Sequence, residues 1–577
     1  MTPLPLSPVR HLGSRTLLPL RRICASPMLH HFLSHEHHAV SPSSSIPTGT
    51  RSLATPVRHS KAIYESDRGK ERVVILGSGW GGYTLSRKVS PESYSPLIVS
   101  PRSYFVFTPL LTDTASGSLD FSNIVEPVRD PKSNVDFVQA AAHSIDLQKK
   151  TVLCEATVVK SGVTETPRTH EHERLHDETP ETGPKPPVEQ RWERGEFFEV
   201  PYDKLVIAVG AVSTTFQTPG VRHNAMFFKD IGDAKRVKRR VRECFELAVL
   251  PTTTPEMRRS LLHFAIVGAG PTGTELAASL RDFIYTDLIQ LYPALKGIPC
   301  ITLYDIAPMV LSMFDESLSR YAMDTMRREG ISIKTSHHIK GLRWGAPWDD
   351  PPHEMDPKRC LTLKTEEEGD VGVGMCVWVT GNTMNRLVSH ALQKVSSFPT
   401  ASALMKDGQA PSSDIQNPSW QIKKAPKSGA LLVDGQLRLQ LESDDGRTAV
   451  LQDVFALGDN AMPETGAPPA TAQATAQEAK WLAERFNRRD IQQVPPFSFK
   501  NMGALAYIGD SRALMQIPHE KTDGKRNKYL PEGLKGRTAW VVWNSAYLTM
   551  SISWRNKLRV LFRWMLNNVF GRDISRY

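Results

Sequence analysis

The apolar positions of the chain gather into short blocks that run out on glycine. At 73–89, "VVILGSGWGGYTLSRKV" passes from an apolar run into Gly77, Gly79 and Gly82 and then into a stretch with helical spacing. At 264–280, "FAIVGAGPTGTELAASL" repeats the plan with Gly268, Gly270 and Gly273. A short apolar run without alternation, bounded by turn residues, predicts a strand buried on both faces, as in a parallel sheet. The same form recurs in "SPLIVS" (95–100), "KLVIAVGA" (204–211), "CITLYD" (300–305), "CVWVTGN" (376–382, ending near Gly381) and "DVFALGDNA" (453–461, carrying Asp459).

Two stretches break the pattern. Residues 161–192 are dense in Pro, Glu and His, and residues 396–427 are similar though less polar; both read as solvated loops inserted into the first domain. From 537 the spacing turns amphipathic. A helix there gathers Trp554, Leu558, Leu561, Phe562, Met565, Leu566 and Val569 on one face, with Arg555, Arg559 and Arg563 toward the other. Such a helix lies in the plane of a bilayer surface with its arginines on anionic lipid, a pattern that packing on the protein's own body or on a dimer partner would also satisfy. No apolar run reaches the length needed to span a membrane.

Charge adds to this picture mainly through its distribution. Of the net +10, residues 1–60 supply +5 (six Arg against Glu36) and residues 534–577 supply +7, which leaves the body near neutral. A nucleic-acid binder would carry its basic stripe on the folded body, so that class is set aside. The first 60 residues, rich in Arg, Ser and His, have the composition of a mitochondrial presequence and are excluded from the fold; no apolar segment follows them, so the matrix side is expected over the intermembrane space. The six cysteines form no CxxC pair or metal-ligand spacing, which fits a reducing compartment, and the His170, His172 and His176 cluster reads as polar loop, so no metal is expected.

The glycine spacing has a physical reason. The first glycine makes a tight turn, the second lets backbone approach a pyrophosphate, and the third lets helix pack close to strand. The helix N-terminus then presents free N–H groups to the phosphates. Two copies predict an α/β chain with two Rossmann-type dinucleotide-binding domains, which is the plan of a pyridine-nucleotide-dependent flavoprotein. The acid that holds a ribose 2′-OH at the end of the next strand is Asp305 in the second unit, 37 positions after Gly268 where about 20 is usual. A long helix takes up the difference, and a carboxylate there repels a 2′-phosphate, favouring NADH over NADPH. In the first unit that strand ends at Ser100, with Arg102 nearby.

The segments "ILGSGWGGYTL", "VSPRSYFVFTPLLTDTASGSLDFSNIVEPVR", "VGAGPTGTELAASLRDF", "VTGN", "FALGDNA", "TAQATAQEA" and "MGALAYIGDSRA" resemble the type II NADH:quinone oxidoreductases, the alternative NADH dehydrogenases of mitochondria. The resemblance spans nearly all of 72–577 outside the two insertions. It implies a disulfide-reductase-like double Rossmann fold with non-covalent FAD. It also implies a monotopic homodimer on the inner-membrane lipid surface, delivering electrons from NADH to ubiquinone without pumping protons: hydride to flavin N5, then two electrons to quinone. The implied domains are an FAD-binding part at 61–255, an NADH-binding part at 256–382, a second FAD-binding part at 383–495 and a membrane-association region at 496–577.

The same resemblance assigns roles by position. Gly77, Ser78, Gly79, Trp80, Gly81 and Gly82 fall at the FAD pyrophosphate, Ser100, Pro101 and Arg102 near its adenosine half, Thr108 and Pro109 near the flavin ring, and Asp459 at the ribityl and pyrophosphate region. Gly268, Ala269, Gly270, Pro271, Thr272, Gly273 and Asp305 fall at NADH, Glu275 close to the nicotinamide, and Gly381 and Asn382 near both cofactors. Gln473 and Gln477, one helical turn apart, match glutamines beside the flavin that hydrogen-bond quinone carbonyls; Glu275 joins them as a candidate catalytic residue that relays protons. The chain departs from the family pattern at Thr214, Gln217 and Ala476, which bears on the quinone pocket. A disulfide reductase would need a redox cysteine pair after the first helix, and no Cys lies between 77 and 154. The alternative is an NADH-sensing flavoprotein of the apoptosis-inducing-factor kind, without rapid quinone reduction.

Overall fold

The apolar block before Gly77 forms the strand Glu71–Leu76, and Val73 to Leu76 are fully buried. At roughly 1.5–3 kcal/mol for each such side chain, this one strand anchors much of its domain. The computed structural model describes residues 69–572 apart from 159–194, 350–355, 357–358, 393, 396, 407–418, 465, 518–532 and 551–552. The expected presequence and the 161–192 insertion lie outside the described residues.

Glu71–Leu76 pairs in parallel with Tyr94–Ser100 on one side and Lys204–Ile207 on the other; Tyr94–Ser100 pairs with Asp136–Asp146, and Lys204–Ile207 with Thr448–Ala456. The sheet then continues antiparallel at both ends, through Thr151–Ala156 and Phe197–Pro201 and through Arg438–Ser443 and Trp420–Ile422. A second, all-parallel sheet runs in the order Met226–Phe227, Met375–Trp378, His263–Val267, Cys300–Tyr304, Ile331–Lys334. Both glycine units therefore sit as strand, turn and helix in the middle of a parallel sheet. A two-stranded ribbon, Asn382–Met384 against Ala211–Ser213, links the segment after the second sheet to the segment after the first.

The crossover from the second glycine unit explains the wide spacing before Asp305. The helix Pro271–Asp282 runs directly into a π-helical turn, Phe283–Leu288, and a short α-turn, Ile289–Leu291, so the extra residues lengthen the helix. Two local expectations are corrected. The block 376–382 is not a single strand, because the sheet strand ends at Trp378 and Asn382 opens the ribbon. The stretch 396–427 is not only loop: Ala403–Met405 pairs with Thr448–Ala456, and Trp420–Ile422 joins the large sheet. Its scattered apolar residues account for this, since Phe398 and Trp420 are buried with ring centroids 4.5 Å apart.

After the hairpin Ala504–Gly509 and Arg512–Gln516, the strand Gly533–Gly536 leads into two tail helices, Arg537–Met550 and Trp554–Phe570. The second is capped by Ser553 and faces the body through Asn556 and Val560; Asn556 Nδ2 donates to Val125 O at 3.0 Å and to Glu126 Oε1 at 3.0 Å. Its other face leaves Trp554, Leu558, Leu561, Phe562 and Met565 exposed. The helix thus packs on the protein's own body through one face and leaves an apolar face uncovered. No described helix is long and apolar enough to cross a membrane.

Candidate functional site

The two glycine units are close copies. Gly77 has φ +106° and its N–H donates to Val99 O at 2.9 Å; Gly268 has φ +110° and donates to Tyr304 O at 2.8 Å. These left-handed turns admit glycine because a Cβ would be strained there. A Cβ on Gly82 would lie 1.9 Å from Gly77 O, and one on Gly273 would lie 1.8 Å from Gly268 O, so only glycine lets each helix reach its turn. The middle glycines differ in kind: a Cβ on Gly79 or Gly270 would meet nothing within 4 Å. Each is the N-cap of its helix, in extended conformation and with no side-chain cap. Each helix thus offers bare N–H groups to open space, the form a dinucleotide pyrophosphate requires, and the residues fit two such groups.

Around the first cradle, Ser78 is buried and pinned. Its Oγ lies 3.0 Å from Ser100 Oγ and donates to the carbonyls of Arg102 and Tyr104 at 3.1 Å each, fixing where the next strand leaves the sheet. Arg102 pairs with Asp230 at 3.3 Å, and Gln139 donates to Pro101 O. Trp80 Nε1 donates to Thr108 Oγ1 at 3.0 Å, bringing the turn that holds Thr108 and Pro109 over the first helix, while Gly81 packs under Leu457. No acid stands at this strand end.

The second cradle carries one. Asp305 Oδ2 accepts from Ala269 N at 2.5 Å and Oδ1 from Ala307 N at 2.7 Å. A carboxylate offers about four acceptor positions, so two remain for a ribose diol. Pro271 sits at the first helical position and Thr272 is exposed beside it. Glu275, one turn further, is buried; Tyr507 N donates to its Oε1 at 3.1 Å, and burial pushes its carboxyl up to about 8.

Between the cradles, Gly381 at φ +41° stands against Thr214, and Asn382 accepts from Lys229 Nζ at 2.6 Å. Lys229 also donates to Ala211 O, and its charge opposes the upward shift that burial gives Asp459. Asp459 follows Gly458, whose N–H donates to Glu478 Oε2 at 2.7 Å. Glu478 is itself buried and pushed up to about 7 by desolvation, reinforced by Asp459. Asn460 bridges Ile207 O and Gly210 N, tying the late strand Thr448–Ala456 to the first half of its domain.

Sequence reasoning missed Lys229, Asn460 and Glu478. Asn460 and Glu478 lie inside the motifs FALGDNA and TAQATAQEA but were given no role, and Lys229 carries no local signal. The structure also gives Gln473 and Gln477 partners that the sequence reading did not foresee. Gln473 donates to Gly503 O and accepts from Met502 N, and Gln477 donates to Lys500 O and accepts from Lys500 N at 3.0 Å. Both amides brace the 500–503 segment against the Ala472–Arg488 helix.

Comparison with known proteins now bears on this geometry. Residues 71–479 match the pyridine nucleotide-disulphide oxidoreductase family, and residues 501–573 match the NDH2 C-terminal domain. A Dictyostelium discoideum protein named probable NADH dehydrogenase is 32% identical over 89% of this chain and 94% of its own. The chain belongs to the type II NADH dehydrogenases. This type II dehydrogenase is also 29% identical to a Yarrowia lipolytica protein named external alternative NADH-ubiquinone oxidoreductase, mitochondrial, over 90% of this chain and 83% of that one. Its fold is shared with the solved Plasmodium falciparum NDH2 in complex with NADH, at a TM-score of 0.65 and 21% identity, covering 88% of this chain and all of that one. The five cysteines among the described residues are free thiols, and none stands on the first glycine helix.

Proposed function

We propose that this type II NADH dehydrogenase holds FAD non-covalently in the first cradle, takes NADH in the second, and passes two electrons to ubiquinone without pumping protons. The observation that carries the reading is the pair of matched cradles whose middle glycines face open space, neutral at the first strand end and anionic at Asp305 in the second. Bound FAD supplies the chemistry, accepting hydride and releasing electrons. The chain supplies placement. Ser78, Gly79, Ser100 and Arg102 line the flavin nucleotide, with Thr108, Pro109 and Asp459 toward its ring and ribityl end. Gly270, Thr272 and Asp305 position NADH, with Gly381 and Asn382 between the two. Glu275 holds a proton at its buried carboxyl near the nicotinamide. Gln473 and Gln477 each use one amide N–H on the backbone, and the second N–H of each is the one to reach a quinone carbonyl.

The protein is read as a homodimer seated peripherally on the inner mitochondrial membrane, and the exposed apolar row Trp554, Leu558, Leu561, Phe562 and Met565 supports the seat on a bilayer surface. The matrix face expected from the presequence stands against relatives named external, and protease access in intact mitoplasts decides between the faces.

The test is NADH oxidation by the purified flavoprotein with and without a short-chain ubiquinone, with NADPH in parallel. Rapid quinone-dependent oxidation that favours NADH is expected. A flavin that NADH reduces and quinone does not reoxidise would establish the sensor reading instead. Removing residues 537–577 should release the protein from liposomes with FAD retained; continued tight liposome binding would overturn the tail assignment.

A further inference from the structure

Four carboxyl groups, each more than nine-tenths buried, meet where the short helix Leu111–Ala115, the second glycine helix and the C-terminal segment pack together: Asp113, Glu275, Asp282 and Asp287. Three are engaged. Glu275 accepts from Tyr507 N, Asp282 Oδ2 accepts from Tyr507 OH at 2.6 Å while its Oδ1 lies 3.1 Å from Arg281 Nη1, and Asp287 pairs with Arg572 Nη1 at 2.9 Å. Asp113 is 9% exposed, and Arg572 is the cation that pulls on its carboxyl. It stands just after the turn that holds Thr108 and Pro109.

A buried carboxylate is costly, so such a group keeps its proton. Burial and the charge of Asp282 push Asp113 up to about 7 against the pull of Arg572, and the charge of Asp113 helps raise Glu275 to about 8. Tyr507 and Tyr547 face the same cluster; both phenols are raised far above their ordinary range, and the indole N–H of Trp543 points to Glu275 and tempers its rise. Like charges in a dry site cannot all ionise, so Asp113 and Glu275 titrate as a pair that holds at least one proton near neutrality.

Reduction of a quinone by NADH consumes a proton from the medium: NADH, one H⁺ and quinone give NAD⁺ and quinol. We propose that Asp113 loads that proton, passing it from its carboxyl to Glu275 and on to the quinone oxygen, and is refilled from solvent past Asp282 and the Asp287–Arg572 pair. This rests on the quinone reading above. The Glu275 O–H bond breaks as the quinol O–H forms, the Asp113 O–H bond then breaks as that of Glu275 re-forms through a bridging water, and a solvent proton restores Asp113. The electrons come from NADH.

The test uses the full-chain, flavin-loaded enzyme. Quinone-dependent reoxidation should fall along an alkaline limb near pH 7–8, the range in which the pair loses its proton. Asp113→Asn should slow reoxidation about tenfold and move the limb to lower pH, where Glu275 titrates without the charge of Asp113, Asp113→Glu should restore it, and Arg572→Gln should move the limb to higher pH, because removing a cation raises a nearby acid further. A readout independent of turnover is melting temperature against pH. The raised acid of the folded protein gives stability that is lost as pH rises from about 5 to 8, so Asp113→Asn should flatten that fall. An unchanged limb and an unchanged melting slope in Asp113→Asn would overturn the proposal. If that variant does not fold, a limb that fails to move in Arg572→Gln overturns it equally. Wild-type enzyme that shows no reoxidation by quinone while Asp113→Asn still flattens the melting curve would sink the quinone reading and leave the proton-holding cluster standing.

Discussion

The two cradles share a backbone and differ in what stands around it. Their first glycines turn at φ +106° and +110°, their third glycines would clash at 1.9 and 1.8 Å, and their middle glycines face open space. At the end of the following strand, one carries a hydroxyl network, Ser78 with Ser100, and the other a carboxylate, Asp305. The shared backbone suits a pyrophosphate in both cradles, and under the proposed function the next strand end is what distinguishes the two dinucleotides. Behind each cradle lies a buried acid, Glu478 for the first and Glu275 for the second, and both are raised by burial.

The harshest way to break this comparison is to fill one cradle at a time. Gly273→Ala puts a methyl against a backbone oxygen that no rotamer can move, a strain of about 1–3 kcal/mol that the helix must relieve by withdrawing from the turn. We expect purified Gly273→Ala to keep its flavin absorbance and lose roughly a hundredfold in NADH affinity, and Gly82→Ala to emerge with little flavin. Loss of flavin in both variants would show that the cradles do not fold independently.

A milder change makes the second cradle like the first. Asp305→Ser removes the charge and two charge-assisted hydrogen bonds to the loop, each worth about 1.5–3 kcal/mol. The kcat/KM for NADH should fall roughly tenfold to a hundredfold, and the preference over NADPH should shrink by a similar factor. An unchanged preference would mean that the discrimination lies elsewhere.

The buried acid of the first cradle gives a smaller, pH-dependent effect. Glu478 is raised in the folded state, so its contribution to stability is complete below its unfolded pKa and is lost as pH climbs through about 7. Glu478→Gln keeps an acceptor for Gly458 N without the titration. Its melting temperature should therefore fall less than that of wild type between about pH 5 and 8, a difference on the order of 2 kcal/mol at the alkaline end. Parallel curves would place the stabilising proton on another group.

What the sequence made legible follows from range. The cradles were readable because strand, turn and helix are contiguous, and the amphipathic tail because its period is local. Lys229 was not, because its partners Ala211 and Asn382 lie on a ribbon formed by segments about 170 residues apart. Asp113 reads as an ordinary polar residue until the second glycine helix and the tail close over it. The strands inside 396–427 escaped because their apolar residues are sparse and find partners only in the distant strands Arg438–Ser443 and Thr448–Ala456.

The smallest expected effect concerns how the cradles are joined. The Ala472–Arg488 helix packs on the first glycine helix, the Ala504–Gly509 strand packs on the second, and the 500–503 segment between them is held by Gln473 and Gln477. Each glutamine makes a reciprocal pair of bonds with backbone, worth about 0.5–1.5 kcal/mol per bond and less where water replaces them. If bracing is their whole role, Gln473→Ala and Gln477→Ala should each lower stability by about 1 kcal/mol, measured by urea midpoint, and leave the KM for ubiquinone unchanged. If they also read quinone carbonyls, the KM should rise several-fold in the single variants. Glutamate in their place would separate the two roles further, since a carboxylate keeps the bond from Met502 N or Lys500 N but cannot donate to a quinone oxygen. A KM raised by both alanine and glutamate, with the urea midpoint restored only by glutamate, would assign donation to the substrate and acceptance to the brace.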